Sequence, residues 1–259
     1  MIARTYIHEF YTPLRTGNVA FSANVWSPRR RWYLPCKDVI DFLVGLGLLV
    51  VTAPVMLLGA LLVKLTSSGP AFYSQMRIGK NGRPFTIYKL RTMYHNCESA
   101  SGPRWSTPGD SRITPLGRIL RRTHIDELPQ LWNVVRGDMA LIGPRPERPE
   151  FIPSLAEALP YYSDRLRVRP GMTGLAQVQL PPDTDLDSVL RKLAHDLYYV
   201  RHVSFWFDVR ILAGTLFYLL RLPLHLLPRL GLVPPRRVIE ETYRRATGEV
   251  ADVDVVRRV

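Results

Sequence analysis

The stretch Phe42–Val63, "FLVGLGLLVVTAPVMLLGALLV", holds 22 residues and no ionisable side chain. At about 1.5 Å of rise per residue a straight helix of this length reaches roughly 33 Å, enough to cross a bilayer core. A buried helix of a soluble protein is the weaker reading, because such runs are usually shorter. Two features count against a simple span. Pro54 lies near the centre, where it removes a backbone donor and its ring meets the preceding turn. Both flanks are also basic: Arg29, Arg30, Arg31 and Lys37 stand before the run, and Lys64, Arg77, Lys80, Arg83, Lys89 and Arg91 after it, with no acid between Leu65 and Arg91. Positive flanks favour the cytoplasm. A helix that enters, breaks at Ala53-Pro54 and returns keeps both flanks on one side, with Thr52 placed to satisfy the backbone group that the proline frees.

Downstream, Ala71–Gln75 and Pro84–Lys89 read as short strands of a hairpin turning at Gly79–Arg83. Residues Asn96–Ser111 are polar and rich in Gly, Pro and Ser, the composition of a mobile loop. Thr114-Pro115 is a helix start, a capping hydroxyl followed by proline at the first helical position; that helix would present Arg118, Arg121 and Arg122 along one side. A second helix is expected from Asp126, with Leu128, Leu131, Val134 and Val135 as its apolar face and Pro129 in its first turn. Leu186–Val200 is amphipathic through Val189, Leu190, Leu193 and Leu197. The segment "FWFDVRILAGTLFYLL" carries Asp208 and Arg210, which a span would bury at high cost and an interfacial helix need not. From Pro223 onward four prolines break the pattern, and the basic tail carries none.

The chain of 259 residues has 35 Lys plus Arg against 22 Asp plus Glu, a formal net charge of +13. That excess suits an anionic partner: nucleic acid, an anionic membrane face or a phosphorylated substrate. Nucleic acid ranks last, because the basic residues cluster around the apolar run. Cys36 and Cys97 lack metal-ligand spacing and read as free thiols of a reducing compartment. No apolar stretch at the N-terminus resembles a secretory signal, and P-loop, GxGxxG and HExxH runs are absent.

In "THIDELPQLWNVVRGDMALIGPRP", Thr123–Pro146, Asp126 and Glu127 stand between Arg118, Arg121 and Arg122 on one side and Arg136, Arg145 and Arg148 on the other. Singly, Asp126 reads as a helix N-cap and Glu127 as a first-turn acid favoured by the helix dipole. Together, guanidinium groups at a helix start form a site for phosphate. Carboxylates there can hold a divalent cation or attack as nucleophiles. The group points to phosphoryl chemistry at a membrane surface.

Several long motifs in one order, among them "SSGPAFYSQMRIGKNGRPFTIYKLRTM", "RITPLGRILRRTHIDELPQLWNVVRGDMALIGPRPE", "YYSDRLRVRPGMTGLAQV" and "HDLYYVRHVSFWFDVRIL", make the chain closely similar to the bacterial sugar transferases from about Lys37 to Leu220. These are monotopic polyprenol-phosphate hexose-1-phosphate transferases. The resemblance implies that Asp126 is the nucleophile, Glu127 its acidic partner, and that the two bind Mg²⁺. It also implies that Arg91, Arg118, Arg121, Arg145 and Gln177 bind substrate. The membrane kink falls on Ala53-Pro54, where the family usually has serine before the proline. After Gln177-Val178 the chain reads Gln179-Leu180-Pro181-Pro182 instead of an Asn-Gly-Arg-like turn.

The implied fold is α/β: a re-entrant helix-break-helix, then a small α/β catalytic domain with interfacial amphipathic helices. Its expected parts are a basic extension (1–36), the membrane helix (37–66), the catalytic domain (67–222) and a tail (223–259). The expected partners are a UDP-sugar, undecaprenyl phosphate and inner-membrane lipid, with a homodimer an open option. The implied place is the bacterial cytoplasmic membrane, facing the cytoplasm, in exopolysaccharide, capsule or O-antigen synthesis. Two rivals stand beside it: a membrane-bound anion-binding or scaffold protein without turnover, and a glycosyltransferase that releases UDP.

Overall fold

A computed structural model describes residue 21 and residues 25–97, 109–181 and 185–248; most of the polar loop expected over Asn96–Ser111 lies outside them. The apolar run forms helix α1, Tyr33–Thr66, 34 residues that pass through Pro54 without interruption. The expected separation into two helices is therefore not seen. Thr52 does not take the expected role either. Its hydroxyl donates to the Leu48 carbonyl (2.7 Å), whereas the carbonyl that Pro54 leaves without an i+4 donor is that of Val50. Such i−4 back-bonding, like an internal proline, bends helices.

One stripe of α1 faces the protein. Tyr33, Lys37, Asp41 and Gly45 are buried, Leu49, Thr52 and Met56 half-buried, and Gly59 and Val63 buried again, the i, i+3, i+4 spacing of a single helix face. The glycines let the helix come close: a Cβ on Gly45 would stand 2.8 Å from Val134 Cγ1, and one on Gly59 2.8 Å from Leu90 Cδ1. Val50, Val51, Leu57, Leu58, Leu61 and Leu65 point outward, exposed.

Strands β1 (Phe72–Ile78) and β2 (Pro84–Leu90) pair antiparallel as the expected hairpin, β1 running three residues further than its pattern suggested. Helix α2 is Pro115–Thr123 and α3 Gln130–Val135. The buried Asn133 of α3 acts as a third strand for β2: its carboxamide donates to the Thr86 carbonyl (2.7 Å) and accepts from the Tyr88 amide (3.2 Å). A second, separate ribbon is parallel, β3 (Ala140–Ile142) with β4 (Gly171–Thr173). The sheet of the α/β domain is thus two small ribbons set among helices.

The main core gathers on α6 (Leu186–His202), where Val189, Leu193 and Leu197 are buried as expected. Asp185 and Ser188 cap its start reciprocally. Helices α4 (Ile152–Ala158), α5 (Leu175–Gln179), α7 (Phe205–Leu219), α8 (Leu226–Arg229) and α9 (Arg236–Thr247) complete the element order. The expected extension and tail are in part core. Ile239 and Tyr243 of α9 are buried, and fully buried Trp26 stacks on Tyr243 at 6.2 Å. Pro228 lies inside α8 and Pro235 precedes α9, so the four prolines do not end the domain.

At 15 residues α7 is about 22 Å long, too short to cross a bilayer. Trp206, Val209, Leu212, Leu216 and Leu219 are exposed along it, while Asp208 is turned inward. Asp208 meets the start of α1: Tyr33 Oη donates to Oδ2 (2.9 Å), Lys37 Nζ lies 2.8 Å from it, and Tyr199 Oη stands 2.8 Å from Oδ1. Lys37 also pairs with Asp41 (3.2 Å). Removing one member of such a buried group strands a charge, at a cost of about 3–5 kcal/mol. Arg210, by contrast, is exposed.

Candidate active site

Thr114 caps α2 through its hydroxyl, which accepts from the Gly117 amide (2.9 Å). The helix ends at His124, in the left-handed region at φ 57°. One turn of 3-10 helix, Ile125–Glu127, then carries the acidic pair, and α3 starts only at Gln130 after Pro129. Asp126 is thus not the first residue of a second helix and caps nothing, which removes the ordinary explanation for it. The turn lies between the two apolar helices. Ile125 packs with Val63, Leu90 and Leu120 beside α1, and the His124 ring meets Tyr218 of α7 edge-on at 5.2 Å.

The two acids have opposite surroundings. Glu127 is clamped: Lys89 Nζ lies 2.7 Å from Oε1, and Arg145 reaches Oε1 at 2.7 Å and Oε2 at 3.4 Å. Burial alone would raise its carboxyl, but Arg145 and Lys89 outweigh burial and hold it well below the ordinary 4.5. Asp126 is buried, and no hydrogen bond or ion pair reaches its carboxylate among the described residues. Burial, and then the Glu127 charge, push it above the ordinary 3.8; Lys89, Arg121 and His124 pull downward without cancelling that.

Arg145 is held from behind. Its carbonyl accepts from Arg165 Nη2 (2.7 Å), and Arg165 is itself paired with Asp196 of α6 (2.6 Å). The neighbouring Pro146 carbonyl accepts from Arg77 (3.1 Å), and that of Pro144 from the Gly171 amide (2.9 Å). A Cβ on Gly171 would stand 2.1 Å from the Gly143 nitrogen, so only glycine admits this approach. The guanidinium arm remains 36% exposed, so donors are left for an incoming anion.

Of the other residues singled out from sequence, Arg121 faces this site, with Nε 2.8 Å from Thr92 Oγ1 and its charge acting on Asp126. Arg118 and Arg122 are exposed on α2. Gln177 lies on α5 and donates to the Met172 carbonyl (2.8 Å). Arg91 is placed at the end of α1, where its buried guanidinium binds the Ser67 and Ser68 carbonyls that follow the helix. Arg136 pairs with Asp138 (3.4 Å) and Arg148 with Glu150 (3.6 Å). Lys89 was read from sequence only as a flanking charge. Its signal was there: it continues the inward alternation of Phe85 and Ile87 in β2, where an ammonium needs a partner. Arg165 and Asp196 lay inside quoted motifs without a role.

A model of the family described as bacterial sugar transferase matches residues 32–222. The chain belongs to that family. The UDP-glucose:undecaprenyl-phosphate glucose-1-phosphate transferase of Caulobacter vibrioides is 44% identical over 181 residues, 69% of this chain and 67% of the relative. The UDP-N-acetylgalactosamine-undecaprenyl-phosphate N-acetylgalactosaminephosphotransferase of Aeromonas hydrophila is 42% identical over 184 residues, 71% of this chain but only 43% of the relative. The exopolysaccharide production protein PSS of Rhizobium leguminosarum bv. phaseoli is 43% identical over 187 residues, 70% of this chain and 94% of the relative. The matched part is thus 43% of the Aeromonas relative and 94% of the Rhizobium one.

Mg²⁺ fits this family member's acids in one way. Among the described residues no three His, Cys, Asp or Glu side chains converge, and Glu127 is already engaged by two cations. Asp126 is the carboxylate left to ligate and would hold such an ion, which would supply charge neutralisation for a bound phosphate.

Removing Lys89 takes away a cation that favours ionised Asp126, so its carboxyl must rise further. Carbodiimide modifies protonated carboxyls. Labelling of the Asp126 peptide, followed across pH by mass spectrometry, should have a midpoint above 3.8 in the wild type and a higher one in Lys89→Met. An unchanged midpoint would show that Lys89 does not act on Asp126.

Proposed function

We propose that this protein transfers a hexose 1-phosphate from a UDP-sugar to undecaprenyl phosphate at the cytoplasmic face of the bacterial inner membrane. The observation that carries the reading is the contrast within the dyad: a buried Asp126 without a partner beside a Glu127 fixed by Lys89 and Arg145. A phosphate-binding clamp alone has no use for an unengaged carboxylate. The relatives' names agree on transfer to undecaprenyl phosphate and differ on the sugar, glucose in one and N-acetylgalactosamine in another, so the donor is proposed only as a UDP-hexose. The Rhizobium relative's name supports a place in exopolysaccharide production.

In the proposed first step an Asp126 carboxylate oxygen attacks the phosphorus that bears the sugar. The bond to the bridging oxygen breaks, and UMP leaves with that oxygen and its electron pair. An aspartyl-phosphosugar remains. A phosphate oxygen of undecaprenyl phosphate then attacks the same phosphorus and expels the carboxylate, so Asp126 is regenerated. Splitting one displacement between two anions into two steps is what a covalent nucleophile offers. Arg145 and Arg121 supply positive charge where the diphosphate lies. Mg²⁺ held by Asp126, with Glu127 adjacent, would add charge neutralisation of the same kind.

The membrane reading is that α1 is bent within one leaflet, with both ends on the cytoplasmic face. It is supported by the continuous docked stripe: the Lys37 end is tied to Asp208 and the Val63 end packs on Leu90 and Leu120, all in one domain. A helix crossing the bilayer would separate those ends by its full thickness. The same placement brings the dyad beside a lipid carrier whose phosphate stays at the interface.

Two measurements test these proposals. With undecaprenyl phosphate and either UDP-glucose or UDP-N-acetylgalactosamine, chromatography should find UMP as the nucleotide released. UDP would indicate sugar transfer without its phosphate, and no release from either donor would favour an anion-binding protein. For topology, single cysteines near Ser27 and near Ser74, in a background lacking Cys36 and Cys97, should both resist an impermeant thiol reagent in intact cells. Labelling near Ser27 alone would establish a span.

A further inference from the structure

A second basic site lies at the other end of α7. A cleft of about 640 Å³ opens between the end of α6, the start of α7 and the segment 228–235. Arg29, Arg30, Arg201 and Arg210 line it together with His202 and Trp206, and no acid does. Among the described residues none of the four guanidinium groups forms an ion pair. Some arginines of this protein are matched to acids, as Arg145 is to Glu127 and Arg165 to Asp196; these four are not. Four cations without an acid around one cleft create a field that attracts an anion. The His202 imidazole registers it: burial, and then Arg29 and Arg201, push it below the ordinary 6.5.

The mouth of the cleft fixes the kind of anion. Trp206 is 68% exposed, and Phe205 beside it is exposed as well. From there the outward strip of α7 runs through Val209, Leu212 and Leu216. A basic pocket opening beside tryptophan and an apolar strip matches a lipid whose phosphate enters the pocket while its chains follow the strip. The site is separate from the dyad. Twelve residues of helix, roughly 18 Å, separate Trp206 from Tyr218, which touches His124.

We infer that this cleft binds the phosphate head group of an anionic membrane phospholipid. The site does not depend on the reaction proposed for Asp126. It gives α7 a fixed point on the bilayer at the end remote from the dyad.

The test is native mass spectrometry of the full chain in detergent, titrated with phosphatidylglycerol or phosphatidylcholine. Half-saturation by phosphatidylglycerol should come at about tenfold lower concentration, the scale of one charge-assisted hydrogen bond. Arg29→Gln with Arg210→Gln removes two exposed side chains and should abolish that preference. Arg237→Gln with Arg244→Gln removes the same charge from α9 and should leave it intact. Equal loss in both pairs would mean general charge attraction and overturn the site, as would retention in the first pair. Adding glycerol 3-phosphate separates lipid from free phosphate ester. Displacement of phosphatidylglycerol at matching concentrations would overturn the lipid assignment.

Discussion

The Glu127 carboxylate is where the half of the molecule that carries the acidic pair is fastened together. Lys89 comes to it from the hairpin, Arg145 from the loop after β3, and Glu127 itself from the turn between α2 and α3. None of these elements is long enough to hold its position alone. Glu127 sits in a 3-10 turn of three residues, and β3 is a strand of three. A buried carboxylate facing two cations is strongly favoured to stay ionised, and its geometry fixes the atoms on either side. Asp126 is carried into place by its neighbour and left chemically unoccupied.

The supports for that clamp reach far into the fold. Asn133 fixes β2, and therefore Lys89, against α3. Asp196 on α6 orients Arg165, which holds the Arg145 carbonyl. On the membrane side, Asp208 gathers Tyr33, Lys37 and Tyr199, so the apolar helix is tied to the same domain that carries the dyad. An ion pair of this kind is weak as a source of stability, but it is demanding about geometry.

Much of this was legible where the signal is local. Thr114-Pro115 marks a helix start by cap chemistry, the Gly79–Arg83 segment turns the hairpin, and the spacing of Val189, Leu193 and Leu197 marks the buried face of α6. The acidic pair was visible because Arg residues crowd it in sequence. What was not legible depends on long-range packing. Asp208 meets Tyr33 across 175 positions, and Lys89 meets Glu127 across 38. Arg91 has the composition of a phosphate ligand, yet its guanidinium answers the free carbonyls past the end of α1. The role of α9 was hidden because prolines before it read as the end of the domain, while its buried positions, Ile239 and Tyr243, are two in a basic helix.

The division of labour between the two acids is tested most directly by a single-turnover experiment with donor and no lipid acceptor. Wild-type protein is mixed with UDP-glucose or UDP-N-acetylgalactosamine, quenched in acid within the first turnover, digested and read by mass spectrometry. The account predicts a sugar-phosphate adduct on Asp126, matched by UMP in equal amount, and no adduct in Asp126→Asn. An adduct on Glu127, or UMP formed in step with product while Asp126 stays unmodified at every time point, would contradict it.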